Sequence, residues 1–168
     1  MTKPRYQPIL KDKVPSVNLP IGSTDEGEEK PMANARIIAG ELNGIKGAAK
    51  TFSPVQMWDV SLPHVGSEID IPYPADHNCI VFVRRGRVSV LTGEEGGDKT
   101  SELGPQDVAL MRLDGSDMLR LRVNKADSSV LIMGGEPLNE PIRAQGPFVM
   151  NDEAGIRKAI SDYQSGKF

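Results

Sequence analysis

Two histidines, His64 and His77, one cysteine, Cys79, and the carboxylates of Glu68, Asp70 and Asp76 all fall between residues 64 and 79. These residue types could support two chemistries. Two imidazoles and one carboxylate converging on an inner face would hold a transition metal and leave positions open for substrate or oxygen. A cysteine with a histidine on its face would make an activated nucleophile. His77 precedes Cys79 by two residues, so in a strand the two side chains share a face. The surrounding run CIVFV (79–83) works against that pair, because burial disfavours the thiolate. Cys79 therefore reads as a buried, inert thiol. In the run SLPHVGSE, His64 is expected as a solvated turn residue. In PADHN, His77 is expected as a hydrogen-bonded residue at a strand entrance. They are weak metal candidates, and no catalytic or metal set is expected. A three-imidazole site cannot be built from two histidines.

Other catalytic arrangements are absent from the sequence. There is no Walker-type glycine loop, and GEEGGD (93–98) is too acidic to cradle phosphate. No Gly-x-Ser-x-Gly elbow occurs. One cysteine excludes an internal disulfide and a cysteine-rich zinc site. The net charge of −3 lacks the basic excess of a nucleic-acid binder, and VRRGRV (83–88) and RLRV (120–123) read as strands with a charged outer face. No run approaches the roughly 18 apolar residues of a membrane span, and no leader opens the chain. A soluble cytoplasmic or nuclear protein is expected, touching neither membrane nor nucleic acid directly. Trp58, Tyr73, His77 and Arg85 are the candidates for lining a ligand pocket. The plainer readings place Trp58 in the core and Arg85 in a turn.

Short strands must position these residues. Seventeen glycines and thirteen prolines in 168 residues favour a turn-rich β protein. Residues 1–34 hold Pro4, Pro8, Pro15 and Pro20 among scattered apolar residues, predicting an extended arm followed by an acidic flexible insert. From residue 35 the period becomes two: ARIIAG, QMWDVSL, EIDIP, RVSVL, DVALMR, MLRLRV and SVLIM each read as strands. CIVFV, continuous and apolar, predicts a strand buried on both faces. LDGSD (113–117) marks a hairpin turn. The segment GGEPLNEPIRAQGPFVMN (134–151) is too broken by proline for a helix and too apolar for a linker. It predicts an irregular crossing over a surface, anchored by Phe148, Val149 and Met150. After it, Asn151 is the expected cap of a helix whose Ile156, Ala159, Ile160 and Tyr163 recur at helical spacing. The expected domain is a sandwich or small barrel over 35–150, with one amphipathic helix over 151–168.

Several long blocks carry a family resemblance. PRYQ, IIAGELNGIKGAAKTFSPVQMWDV (37–60), PADHNCIVFVRRGRV (74–88) and GGEPLNEPIRAQGPFVMNDEAGIRKAISDYQSGKF together resemble the pirin family, and within it the C-terminal half. The resemblance implies an all-β, cupin-type jelly roll, one of the two that a pirin carries. Typical pirins bind one iron in the N-terminal cupin through three histidines and a glutamate. Some act as quercetin 2,3-dioxygenases, and others are associated with transcriptional regulation. That metal-bearing half has no counterpart in this sequence, so no cofactor is expected here. The cupin pattern would place its ligands just before the turn at Gly86, where this chain offers Tyr73, His77, Asn78 and Cys79. The role expected is structural, interactive or regulatory, the partner being a second copy or a complementary cupin half. Two alternatives stand beside it: part of an iron-dependent quercetinase-like pirin, or a metal-free barrel that binds a small molecule.

Overall fold

The computed structural model describes residues 5–22, 32–92, 99–111 and 116–167. In chain order the strands are β1 (Ser16–Pro20), β2 (Met32–Ala39), β3 (Glu41–Leu42), β4 (Ile45–Lys46), β5 (Val55–Leu62), β6 (Glu68–Pro72) and β7 (Asn78–Arg85). There follow β8 (Val88–Thr92), β9 (Lys99–Leu103), β10 (Val108–Met111), β11 (Met118–Val123), β12 (Ser128–Gly135), β13 (Arg143–Gln145) and β14 (Phe148–Met150). One helix, α1 (Glu153–Gln164), completes the described chain. The chain forms two compact units, Met1–Glu136 and Pro137–Phe168.

Alternation builds the first unit. In β5, Gln56, Trp58, Val60 and Leu62 are buried while the intervening residues face outward, as a strand with one covered face requires. Inward residues of β2, β7 and β12 repeat the pattern. Antiparallel pairing gives a six-stranded sheet in the order β1-β2-β5-β12-β7-β10 and a four-stranded sheet in the order β6-β11-β8-β9. Their inward side chains form one core, from Ile37, Trp58, Val81 and Ile132 on the large sheet to Ile71, Val90 and Leu121 on the small one. This is the jelly roll expected from the sequence. Its sheets stay separate and do not close into a barrel, with an isolated bridge between Gly22 and Glu68. Outside the small sheet, Arg120 pairs with Asp70 at 2.7 Å and Arg122 with Glu68 at 2.6 Å.

Ser16–Pro20, expected within an extended arm, is instead edge strand β1, paired with β2 in full register. An edge strand tolerates Pro20 because one side of its ladder needs no donor, and Leu19 is buried in the core. CIVFV, expected to be covered on both faces, is covered on one: Cys79, Val81 and Val83 point in, while Ile80 and Phe82 are half-buried on the outer face. Local propensity misses β3, β4 and β9, whose sequences are short and largely polar. The acidic insert in its central part, the GEEGGD tip and most of the LDGSD turn lie outside the described residues.

In the second unit the tail expected to be irregular forms a hairpin. β13 pairs with β14 around a turn in which Gly146 has φ +57°, a conformation glycine adopts without steric cost. Asn151 is not the helix cap. The cap is Asp152, whose carboxylate accepts from the Gly155 amide at 2.6 Å. Asn151 instead donates to the Glu140 carboxylate and the Pro141 carbonyl, tying the loop before the hairpin to the helix start. Phe148 meets Tyr163 of α1 edge-on, with ring centroids 5.8 Å apart. Val149 is 61% exposed, so of the three expected anchors it faces away. Ile156 is buried and Ile160 half-buried.

Candidate functional site

Three of the four residues singled out as pocket-lining candidates meet at one end of the core. Trp58 lies in an inward row that runs Ile37–Trp58–Ile132–Val81–Ala109 across β2, β5, β12, β7 and β10. The neighbouring inward row is Gln56–Gly134–Cys79–Met111. Tyr73 follows β6 and spans both rows. Its ring stands edge-on to Trp58 at 5.5 Å and to His77 at 6.5 Å, distances and angles that suit aromatic quadrupoles. Its hydroxyl donates to the Asn78 carbonyl at 2.7 Å. Gly134 makes room for that hydroxyl: a Cβ there would stand 2.2 Å from it.

Burial sets the chemistry of this end. Cys79 is buried, and loss of hydration pushes its thiol up to about 11, an effect the Tyr73 hydrogen bond only partly offsets. Tyr73 is driven well above its ordinary value of 10.0, first by desolvation and then by Cys79. Both groups are therefore neutral near pH 7. Burial thus argues against the Cys–His nucleophile, which needs a thiolate.

His77 is buried in the turn before β7, its amide bonded to the Pro74 carbonyl at 3.1 Å. Its Nε2 lies 4.0 Å from the exposed Asp76 carboxylate. Its Nδ1 has no hydrogen-bond partner among the described residues, and neither does the Nε1 of fully buried Trp58. Arg85 does not belong to this group. It sits at the far end of β7, donates to the Asp127 carbonyl at 2.9 Å and borders a shallow depression with Asn34, Ser61 and Ser128.

The residues present do not fit a mononuclear iron site of the three-histidine, one-glutamate kind. The chain has two histidines, and they lie at opposite ends of β6, with His64 exposed in the preceding turn. Glu68 and Asp70 point outward into ion pairs with Arg122 and Arg120, so strand alternation removes both from any inner triad. Of the four residues expected near the ligand position, Tyr73 and Cys79 are kept neutral by burial, Asn78 is not an ionisable ligand, and His77 stands alone. Among the described residues no group of three or more histidine, cysteine or acidic side chains is placed to hold a metal ion.

The Tyr73–Cys79 pairing and the role of Gly134 escape sequence reasoning, although the glycine pair ending the apolar run SVLIMGG hints at a close approach.

Comparison with known proteins gives this architecture a family. Residues 57–168 match the family model described as the pirin C-terminal cupin domain. A Pseudomonas aeruginosa relative with the provisional name quercetin 2,3-dioxygenase is 38% identical over all of this chain and 52% of its own length. Human pirin is 28% identical over 99% of the chain and 52% of its own length. The crystal structure of quercetin 2,3-dioxygenase from Acinetobacter baumannii superposes with a TM-score of 0.77 at 35% identity, covering 98% of this chain and 50% of that one. The chain spans about half the length of the curated relatives it matches. A jelly roll with this sequence match over two-thirds of its length belongs to the pirin family, as its C-terminal cupin domain.

Proposed function

We propose that this cupin domain is non-catalytic and serves a structural, interaction or regulatory role, without a metal site of its own. One observation supports the reading: of the residues that the resemblance places where cupin ligands would stand, Tyr73, His77, Asn78 and Cys79, only His77 is an ordinary metal ligand in its neutral form, and burial keeps Tyr73 and Cys79 neutral. Ligation would require ionising one of them against its burial, which the protein environment opposes. The dioxygenase activity named for the relatives would then depend on an iron site formed outside these residues. The test is oxygen uptake by the purified chain with a flavonol and added ferrous iron. The reading expects the rate of the protein-free control. Turnover that scales with protein concentration would overturn it.

A second reading, a metal-free barrel that binds a small uncharged molecule, is favoured by two nitrogens that have no partner among the described residues. Trp58 Nε1–H can only donate, and His77 Nδ1 belongs to a ring that also meets Tyr73 edge-on. Trp58 is the chain's single tryptophan, so its fluorescence reports on this end alone. Saturable change with one compound of a neutral hydroxyl or carbonyl panel supports this reading; a flat response across the panel opposes it.

A further inference from the structure

An open cleft of about 310 Å³ lies between the β3–β4 hairpin, the loop that follows it and the start of β5. Backbone bonds hold its walls: the Gly47 amide donates to the Gly40 carbonyl and the Ala49 amide to the Ile38 carbonyl, each at 2.8 Å. Gln7 clasps the same loop, donating to the Ala48 carbonyl at 2.8 Å and accepting from the Lys50 amide at 2.9 Å. Gln56 lines the cleft and is only 8% exposed. It is the one polar residue on an inner face of β5 otherwise made by Trp58, Val60 and Leu62. Its Oε1 accepts from the Glu41 amide at 3.1 Å, which fixes the orientation of the side-chain amide. The Nε2 donors have no partner among the described residues and are left for the cleft. Gly40 permits this arrangement, since a Cβ there would stand 1.8 Å from Oε1. A buried amide whose donors are unused calls for a reason, because a methionine would fill the position at no polar cost.

We propose that this cleft binds a small zwitterion of the α-amino-acid type. Its charges select that class. Glu41 and Lys46, exposed at the rim, are direct cross-strand partners on β3 and β4. Opposite charges in that register attract, yet no ion pair joins either to a described residue. With one acid and one base, the cleft opposes an ion of either sign with a like charge. A zwitterion satisfies both: its carboxylate takes the Lys46 ammonium and the Gln56 Nε2 donors, and its ammonium takes the Glu41 carboxylate. Ala49, Pro54 and Val55 supply an apolar wall for the ligand's own side chain. The volume sits at the lower end of the roughly 300–1,000 Å³ of small-molecule sites, which suits a single amino acid. Walls fixed before binding lower the cost of ordering them. The proposal requires neither the absence of a metal nor a ligand at the Trp58–His77 end, and so goes beyond both readings above.

The test is a nuclear magnetic resonance titration of the isotope-labelled full chain with the common α-amino acids. Saturable shifts are expected at the Gly40, Glu41 and Gly47 amides and at the Gln56 side-chain amide with at least one of them. The matching primary amine and carboxylic acid, each lacking one charge, should bind about tenfold more weakly or worse. Glu41→Gln and Lys46→Gln, both at exposed positions, should each weaken binding to the same degree. Lys125→Gln, in the exposed turn between β11 and β12, should leave it unchanged. Gln56→Met should abolish the shifts; should this buried variant misfold by circular dichroism, the two rim variants decide. No shift with any amino acid overturns the proposal. Binding that the amine or the acid alone reproduces, or that ignores either rim variant, overturns it too. Shifts confined to Trp58 and His77 would also overturn it and favour the neutral-ligand reading instead.

Discussion

Gly134 lies directly beneath the Tyr73 hydroxyl. A Cβ built on Gly134 would stand 2.2 Å from that oxygen and 1.7 Å from the carbonyl oxygen of Asn78 that the hydroxyl engages. One missing side chain on β12 thus makes room for a hydrogen bond that closes the end of the core next to Cys79. Because the obstructing atoms include backbone, no rotamer change can relieve the clash.

Gly134→Ala should therefore destabilise the first unit by about 3 kcal/mol, the upper part of the range for overpacking. Urea unfolding followed by Trp58 fluorescence measures this directly, since Trp58 contacts the Tyr73 ring. A loss below about 1 kcal/mol would mean the backbone can yield.

Tyr73→Phe keeps the ring contacts and removes the hydroxyl. The Asn78 carbonyl then loses a bond of 2.7 Å, at a cost of about 1 kcal/mol. The same change removes the partner that favours the thiolate, so Cys79 should become still less acidic. Spectrophotometric thiol titration reads that shift, and its sign separates this prediction from simple loss of packing.

Stability should fall at alkaline pH. Cys79 titrates at about 11 in the folded chain against an ordinary 9.0. The folded state therefore binds more protons than the unfolded state in this interval. The contribution is complete below pH 9 and is lost as pH rises toward 11. Tyr73, also raised, acts in the same direction from about its ordinary value upward. Unfolding free energies measured from pH 8 to 11 should decline, and Cys79→Ala should flatten the first part of the decline.

In the second unit, Phe148→Ala should cost about 1–2 kcal/mol. That is less than the 3–5 kcal/mol of a fully buried aromatic, because Phe148 is half-buried and its ring partner Tyr163 is largely exposed. Asp152→Ala should cost about 1 kcal/mol through loss of the cap. Amide exchange across α1 would accelerate in both variants.

These sites also mark what the sequence could convey. The strands of period two were legible because alternation is a local property: Trp58, Val60 and Leu62 declare their face without reference to a partner. The chain order of those strands and the end of β12 in two glycines were equally visible. Neither says that Gly134 would lie under Tyr73, far earlier in the chain, since that contact depends on register between β12 and β7. Likewise, Ile80 and Phe82 read as doubly buried because composition cannot tell a covered face from an exposed apolar one. Asn151 and Asp152 are both good caps by type, and the choice was made by the competing hydrogen bonds of Asn151 to Glu140 and Pro141. Residue type groups Arg85 with Trp58, Tyr73 and His77, but β7 carries it to the opposite end.

With Tyr73 and Cys79 kept neutral beside His77, the domain is proposed to hold no metal. Elemental analysis of the chain purified from iron-supplemented culture, alongside His77→Ala, tests this. Iron well below one atom per chain is expected, with no difference between the two proteins. One iron per chain, lost in His77→Ala, would overturn the proposal.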